Sequence, residues 1–278
     1  TVKISFKDPK PFPYGPFVGS QVPILQAAQF KDCVGAKAPT CTDANFGPIG
    51  TGPFEFVAYQ QDAAIRYQAN PDYWGGKQAI DNLIFAITTD ASVRLQKLKA
   101  GECQVMAYPA PADVEMLRAD PKITVLEQQG LNVGYLAYNT QMPPFDNPAV
   151  RKALNMAINK QAILDAVFQG SGVIAKNPIP PTMWSYNNAI VDDPYDPVAA
   201  RAILDAEGVT NLSMKIWAMP VQRPYNPNAR RMAELIQADY AAIGVKVEII
   251  SYEWGEYLAR SKELNRDGAV LLGRTGDN

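Results

Sequence analysis

The feature that most constrains the fold is the alternation of strand-like and helix-like segments along the chain. Residues 54–60 and 63–70 alternate apolar and polar side chains around Gln61 and Asp62, a pattern that predicts a β-hairpin. Residues 196–208 begin with Asp-Pro and stop at a glycine, the boundaries expected of a helix. Strand, helix, strand and helix in succession predict an α/β fold with mixed sheets.

The other elements follow the same alternation. Strands are predicted at residues 81–89, 103–108, 122–128, 132–140, 213–220, 245–253 and 268–274. Helices are predicted at residues 91–102 after an Asp90 cap, 111–120, 147–170 as one or two helices ending at Gly170, 226–244 and 254–264. The stripe expected to be buried in the helix of residues 226–244 consists of Met232, Leu235, Ile236, Tyr240 and Ile243.

The absence of histidine limits the chemistry of the chain. None of its 278 residues is a histidine, so Ser-His-Asp and Cys-His mechanisms have no imidazole base here, and no enzyme activity is predicted. The net charge of -2 gives no basic surface for nucleic acid. Asp192, Asp193 and Asp196 lack the spacing of a calcium loop, and Asp196 before Pro197 is predicted to cap a helix, so no metal site is predicted.

The three cysteines indicate an oxidising compartment. Cys33 and Cys41 share a short loop that contains glycine and proline, and we predict a disulfide between them. The alternative for this pair is two unpaired surface thiols. Cys103 is left over, so either its partner lies in a part of the protein outside this chain or it is a buried free thiol.

Arg223 lies in the segment MPVQRPYNPNARR, residues 219–231, between a predicted strand and a predicted helix. Arginine is costly to bury without a partner, and its planar guanidinium matches a carboxylate through two parallel hydrogen bonds. The residue types leave two alternatives, which are an internal salt bridge and a site for an external carboxylate.

A family resemblance bears on this choice. The segments that carry it are IGTGPFEFVAYQQDAAIRYQANPDYWGGK, ITTDASVRLQKLKAGECQVMAYP, GLNVGYLAYNTQ, NPIPPTMWSYN, WAMPVQRPYNPNARRMAELIQADY and SYEWGEYLARSK. They resemble the periplasmic dipeptide-binding proteins, which belong to the extracellular solute-binding proteins of family 5 and serve peptide ABC importers. The resemblance covers the chain from about Ile49 onward, in the family's order and spacing, whereas residues 1–48 match only loosely.

The resemblance implies the type II fold of periplasmic binding proteins, with two α/β lobes and an extra domain on the first lobe. It places residues 1–49 at the end of the extra domain, residues 50–129 in the middle segment of lobe I and residues 130–278 in lobe II. The strand NVGYLAYN would be one hinge connection. It also implies that N-terminal and C-terminal parts of the protein lie outside this chain, and that Cys103 pairs with a cysteine near the mature N-terminus.

The resemblance further implies a dipeptide site in the cleft between the lobes. Arg223 would bind the terminal carboxylate of the ligand and Asp277 its terminal ammonium. Tyr225 and Trp254 would line the pocket with aromatic surface, although their residue types are equally compatible with core packing.

One segment departs from the family pattern. Gly273 and Arg274 open the sequence GRTGD, where the family commonly has Gly-Trp-Thr-Gly-Asp. Arg274 adds a positive charge beside the implied ammonium site. It therefore either faces solvent or shifts the preference towards acidic or modified peptides.

The function implied by the resemblance is that of a monomeric receptor in the periplasm of a Gram-negative cell envelope. It would capture di- or short peptides and deliver them to an inner-membrane ABC permease, without a cofactor. The alternatives are a receptor of the same superfamily for haem, a nickel complex, a modified peptide or an opine, and an interaction or chaperone module.

Overall fold

The computed structural model describes Gly47 and residues 49–275, and the chain divides into two compact units. The first unit spans Thr1–Gln104 and the second spans Val105–Asn278. The described residues form the mixed α/β structure predicted from the sequence. The lobe boundaries expected near residues 49 and 129 stay predictions.

The first unit contains a three-stranded antiparallel sheet in the order β1-β2-β3. Its strands are β1 Phe54–Gln60, β2 Ala64–Ala69 and β3 Asn82–Ala86. The predicted hairpin is confirmed, and Asp62 takes a φ of 57° in its turn, a conformation that aspartate tolerates better than most residues. Tyr67 lies edge-on to Phe56 and to Phe85, with ring centroids 5.9 Å apart in both pairs, so aromatic contacts join all three strands.

Helix α1, Ala91–Lys99, begins at the predicted cap. The Asp90 carboxylate accepts hydrogen bonds from the Ser92 hydroxyl at 2.5 Å and from the Val93 amide at 2.9 Å. These bonds lower the pKa of Asp90 and satisfy an amide that has no partner inside the helix. Gly101, with a φ of 76°, follows the last turn as expected for a helix end.

The second unit contains a four-stranded mixed sheet in the order β4-β7-β5-β6. Its strands are β4 Asn132–Tyr138, β5 Ser213–Trp217, β6 Lys246–Ile250 and β7 Ala269–Thr275. Strand β4 is antiparallel to β7, whereas β5 is parallel to both β6 and β7. The β5–β7 pairing joins Ile216 with Ala269 and Trp217 with Val270, so the last residues of β5 pair with the first residues of β7.

The helices of the second unit are α2 Val114–Ala119, α3 Pro148–Ala157, α4 Lys160–Ile163, α5 Pro197–Ala206, α6 Ala229–Ala242 and α7 Trp254–Arg260. Helix α4 continues into a wider π-helical turn, Leu164–Phe168, which ends at Gln169 and Gly170 with positive φ angles. The predicted end at Gly170 is therefore confirmed. Asp196 caps α5 as predicted, because its carboxylate accepts the Ala199 amide at 2.8 Å.

The core of the second unit lies between the sheet and helices α3, α5 and α6. Helix α6 buries Ala229, Ala233, Ile236 and Tyr240, and Ile243 follows them into the core. Met232 and Leu235 of the predicted stripe are only partly buried. Each fully buried large apolar side chain contributes about 1.5–3 kcal/mol to the free energy of folding, so this face fixes α6 against the sheet.

Two predicted strands are wrong. Residues 103–108 and 122–128 have no strand structure, and they expose Val105 and Leu126 almost fully, at 85% and 88%. A strand requires a neighbour for its backbone hydrogen bonds. No described strand pairs with either segment, so the apolar alternation alone did not produce a strand.

Within residues 47 and 49–275, no helix combines the length and the apolar character needed to span a membrane. The same residues contain no cluster of three or more histidine, cysteine, aspartate or glutamate side chains that could hold a metal ion.

Candidate functional site

The loop that presents Arg223 connects β5 to α6 and is closed by its own backbone. The amides and carbonyls of Arg223 and Asn226 exchange two hydrogen bonds of 3.0 Å each. The Asn226 side chain is 2% exposed, accepts the Asn228 amide at 3.1 Å and donates to the Met232 sulfur at 3.3 Å. Both the oxygen and the nitrogen of the buried Asn226 side-chain amide are hydrogen-bonded. These bonds stabilise the conformation of the loop that carries Arg223.

The Arg223 guanidinium lies over the face of Trp254, with its central carbon 4.3 Å from the ring centroid. This is a cation–π contact, which orients a guanidinium without neutralising its charge. Arg223 is partly buried, and no carboxylate of the described residues lies within salt-bridge distance of it. Within this part of the chain, the guanidinium has an aromatic support on its face and no carboxylate partner for its hydrogen-bond donors.

Trp254 is fixed in position by a helix cap and by a stacked aromatic ring. It begins helix α7 directly after Glu253, whose carboxylate accepts the amides of Gly255 at 2.8 Å and Glu256 at 3.2 Å. Its ring stacks on Tyr257 at a centroid distance of 5.7 Å and an interplanar angle of 25°. The cap at one end and the stacked ring below fix the indole that supports Arg223.

Tyr257 connects this stack to the sheet. Its side chain has no exposed surface, and its hydroxyl lies 2.9 Å from the Trp217 carbonyl oxygen on β5 and 2.6 Å from the Leu271 carbonyl oxygen on β7. Burial raises the pKa of Tyr257, so the hydroxyl stays protonated well above neutral pH and has one proton to donate to these two carbonyls.

Tyr225 lies against two glycines that face each other across β4 and β7. Gly134 and Gly273 are direct partners in the strand register. A β-carbon at position 134 would come within 2.5 Å of the Tyr225 carbonyl oxygen, and one at position 273 would overlap the Tyr225 ring. Only residues without a side chain fit at both positions.

Tyr225 and Arg223 also interact through their side chains. Burial raises the pKa of the Tyr225 phenol, and the charge of Arg223 and a hydrogen bond from its guanidinium oppose this, while nearby Tyr135 adds to the rise. The net shift is upward, so the phenol is neutral at physiological pH. A neutral phenol can accept a hydrogen bond from Arg223 and still donate one to a ligand.

The structure brings together Arg223, Tyr225, Trp254 and Gly273, and it places Arg274 elsewhere. Successive residues of a strand face opposite sides of the sheet, so Arg274 points away from the Tyr225 side occupied by Gly273. Arg274 is exposed and borders a small hollow whose other lining residues are Leu131, Val133, Pro178, Ile179, Pro180 and Met183. These neighbours are apolar, and no described carboxylate forms a salt bridge with Arg274.

Three of the predicted residues lie outside the described part of the chain. These are Asp277, expected at the ligand ammonium, and the cysteines of the expected disulfide, Cys33 and Cys41. Cys103 is partly buried, and its thiol forms no disulfide with another described residue.

Sequence reasoning missed Gly134, Asn226 and Tyr257. Asn226 directly precedes Pro227 and follows Pro224 by two residues, which is a turn signal, so its role in shaping the loop had a local signature. Gly134 interrupts the apolar strand NVGYLAY, and a glycine inside a strand can mark a close backbone approach. Tyr257 had no such signature, because its hydrogen bonds join β5 and β7 rather than neighbours in sequence.

Comparison with known proteins defines the class of this protein. Residues 1–277 match the family described as bacterial extracellular solute-binding proteins, family 5 Middle. The chain belongs to this family, as the resemblance in its sequence indicated.

Two curated relatives illustrate the ligands after which proteins similar to this chain are named. Di/tripeptide-binding protein 1 of Pseudomonas aeruginosa (strain UCBPP-PA14) is 54% identical over 258 residues, which cover 92% of this chain and 48% of the relative. Heme-binding protein A of Haemophilus influenzae (strain ATCC 51907 / DSM 11121 / KW20 / Rd) is 47% identical over 256 residues, which cover 91% of this chain and 46% of the relative. The chain thus spans about half the length of the curated relatives it matches.

A solved structure supports the same class. The dipeptide binding protein from Pseudoalteromonas sp. SM9913, crystallised in complex with Met-Leu, shares 36% sequence identity with this chain at a TM-score of 0.83. The match covers 95% of this chain and 52% of that chain. The predicted fold class, a periplasmic binding protein of which this chain covers only part, is confirmed.

Proposed function

We propose that the intact protein is the solute-binding receptor of an ABC importer, and that it captures di- or short peptides in a cleft between two lobes. The observation that carries this proposal is the Arg223 guanidinium, held 4.3 Å above Trp254 and without a carboxylate partner among the described residues. Such an arginine is suited to bind an external carboxylate through two parallel hydrogen bonds. Membership of the family and the di/tripeptide-binding relative support the same substrate class.

The roles of the residues follow from the chemistry of a dipeptide. Every free dipeptide carries a terminal carboxylate and a terminal ammonium whatever its side chains. Two charges at fixed positions in the site therefore select peptides by their length and not by their sequence. Arg223 binds the carboxylate and Asp277 binds the ammonium. Tyr225 and Trp254 form the aromatic wall, and Gly273 leaves room for the Tyr225 ring.

The remaining parts of the proposal concern the whole protein. It acts in the periplasm of a Gram-negative cell as a monomer, delivers its ligand to an inner-membrane ABC permease and catalyses no reaction. Residues 1–49 end an extra domain, residues 50–129 belong to lobe I and residues 130–278 to lobe II. The lack of histidine in this chain supports a binding role, because it removes the commonest general base from this half of the protein.

A second candidate is a receptor for another small solute, such as haem, a nickel complex, a modified peptide or an opine. The relative named Heme-binding protein A, at 47% identity, is the observation that favours haem. Haem lacks a terminal ammonium, so the two candidates differ in whether a ligand amine is required.

The deciding experiment is a calorimetric titration of the intact protein, expressed from its full coding sequence and stripped of bound ligand. Alanyl-leucine, its C-terminal amide and haem are the three ligands. We expect the free acid to bind at least about a hundredfold more tightly than the amide, because the amide leaves the Arg223 charge without its partner. Equal binding of acid and amide would contradict the assignment of Arg223, and tighter binding of haem than of any peptide would favour the second candidate.

A further inference from the structure

We propose that Gly134 and Gly273 are positioning residues for ligand recognition, because together they form a slot that fixes Tyr225 and, through it, the Arg223 guanidinium. This inference rests on the proposed function, since the orientation of Arg223 matters only if it binds a ligand carboxylate.

The slot fixes Tyr225 at two separate points. At Gly134 the close neighbour is the Tyr225 backbone, whose carbonyl oxygen would lie 2.5 Å from an added β-carbon. At Gly273 the close neighbour is the Tyr225 ring, at Cγ and Cδ2. One glycine therefore sets the height of the loop above the sheet, and the other sets the position of the aromatic ring.

Tyr225 and Arg223 belong to the same short turn, so the position of Tyr225 affects that of Arg223. The two hydrogen bonds between Arg223 and Asn226 enclose Tyr225 in the same turn, so a shift of its carbonyl moves the backbone of Arg223 as well. The charge of the guanidinium and the Tyr225 phenol also interact electrostatically. With Trp254 on its face, the guanidinium is oriented by contacts on more than one side. Bidentate binding of a carboxylate depends on that orientation.

The cost of two facing glycines supports a specific role. Glycine inside a strand loses more conformational entropy on folding than other residues and packs no side chain against its partner. Gly134 and Gly273 are opposite each other in the β4–β7 register, which concentrates this cost at one place. The close approach of Tyr225 from one face of the sheet accounts for both positions.

The test uses Gly134→Ala and Gly273→Ala in the intact protein, with Gly172→Ala as the matched control. Gly172 belongs to the same unit, and an added β-carbon there meets only ordinary contacts at 3.4 Å. Calorimetry gives the affinity for alanyl-leucine and for its amide, and the acid-to-amide ratio is the readout. We expect each slot variant to lower this ratio at least tenfold and the control to leave it within twofold.

A merely structural role would give a different result. In that case the melting temperature would fall and both ligands would weaken together, leaving the acid-to-amide ratio unchanged, and the inference would be overturned. If the wild-type ratio is already near one, the proposed role of Arg223 fails and this inference fails with it. If the wild-type ratio is large and the slot variants keep it, only this inference fails.

A second set of variants removes the ring that the methyl group at position 273 would meet, in case the single alanine variants do not fold. Tyr225→Ala removes the ring and should itself lower the ratio at least tenfold. In that background Gly273→Ala should change the ratio by less than twofold, because its clash was with the ring. Gly134→Ala should still lower the ratio, because its clash is with the backbone oxygen that remains. Independent effects of Gly273→Ala and Tyr225→Ala would overturn the inference.

Discussion

The phenol oxygens of Tyr138 on β4 and Tyr240 on α6 lie 2.6 Å apart, forming a hydrogen bond between residues separated by 102 positions in the sequence. Tyr240 has no exposed surface, and this bond joins the edge strand of the sheet to the helix packed on it. Burial raises the pKa of Tyr138 to about 12, and burial together with the nearby Tyr138 raises the pKa of Tyr240 well above its usual value.

Removing one hydroxyl of this pair should destabilise the intact protein. Tyr240→Phe leaves the hydroxyl of the partly buried Tyr138 without this partner, at a cost of about 1 kcal/mol in the free energy of unfolding. The double variant Tyr138→Phe/Tyr240→Phe should cost less than the sum of the two single variants, because no hydroxyl is then left unbonded. Urea unfolding monitored by circular dichroism measures these free energies of unfolding. The control is Tyr195→Phe, because Tyr195 is half-exposed. Strict additivity of the two variants would show that the hydroxyls are not coupled.

The same pair predicts a loss of stability at alkaline pH. In the unfolded chain both phenols ionise near pH 10, whereas in the folded protein Tyr138 stays protonated to about pH 12. Above pH 10 the unfolded state therefore binds fewer protons than the folded state, and the stability falls as the pH rises. The melting temperature between pH 9 and pH 12 should fall less steeply in the double phenylalanine variant. Parallel curves for the two proteins would contradict the prediction.

Arg223→Ala should leave the fold largely intact and weaken binding of unmodified dipeptides. The loss of one partner of a buried charge pair costs about 3–5 kcal/mol, which is at least about a hundredfold in affinity. Arg223→Lys should restore binding only in part, because a point charge does not reproduce the planar fork or its stacking on Trp254. Arg230→Ala is the matched control, since Arg230 is exposed and paired with Glu234 on α6. Tight dipeptide binding by Arg223→Ala would refute the assignment.

Because Arg274 points away from the Tyr225 side of the sheet, it should give at most a weak preference for acidic side chains in the ligand. Its charge has no described carboxylate partner, but it is exposed, so a contact with a ligand carboxylate would contribute only about 0.2–1 kcal/mol, or up to about fivefold in affinity. Competition between alanyl-glutamate and alanyl-glutamine should therefore favour the glutamate peptide in the wild type, and Arg274→Trp should abolish the difference. No preference in the wild type would mean that Arg274 only faces solvent.

A disulfide between Cys33 and Cys41 remains a prediction. Closing so short a loop would stabilise the folded state by about 2–3 kcal/mol in the chain-entropy model. Peptide mapping of the secreted protein without reduction should recover one cross-linked peptide containing both residues. Recovery of both thiols in alkylated form would refute it, and Cys103 in the same digest reports whether that thiol has a partner.

Local signals were enough to predict much of the secondary structure. The hairpin around Asp62 and the helix caps at Asp90 and Asp196 each depend on residues a few positions apart, and all are confirmed. The predicted strand at residues 103–108 failed because strand formation depends on a neighbour, and none of the described strands supplies one.

The candidate site was predictable only in part. Family resemblance selected Arg223, Tyr225 and Trp254, which the structure brings together. The support beneath them depends on contacts between distant segments, such as Gly134 with Tyr225, for which a single sequence has no direct signal. Strand alternation would have placed Arg274 on the opposite face from Gly273, since the two are adjacent in β7.

The Tyr257 hydroxyl has one proton and two carbonyl oxygens within reach, on Trp217, the last residue of β5, and on Leu271 of β7, where the pairing of the two strands ends. The phenol thus acts as a spacer that bridges the two strands through a side chain at this point. Since Trp254 stacks on the ring of that spacer, the indole is connected to both central strands through a single side chain. An aromatic surface at the start of a helix is in this way anchored to the middle of the sheet.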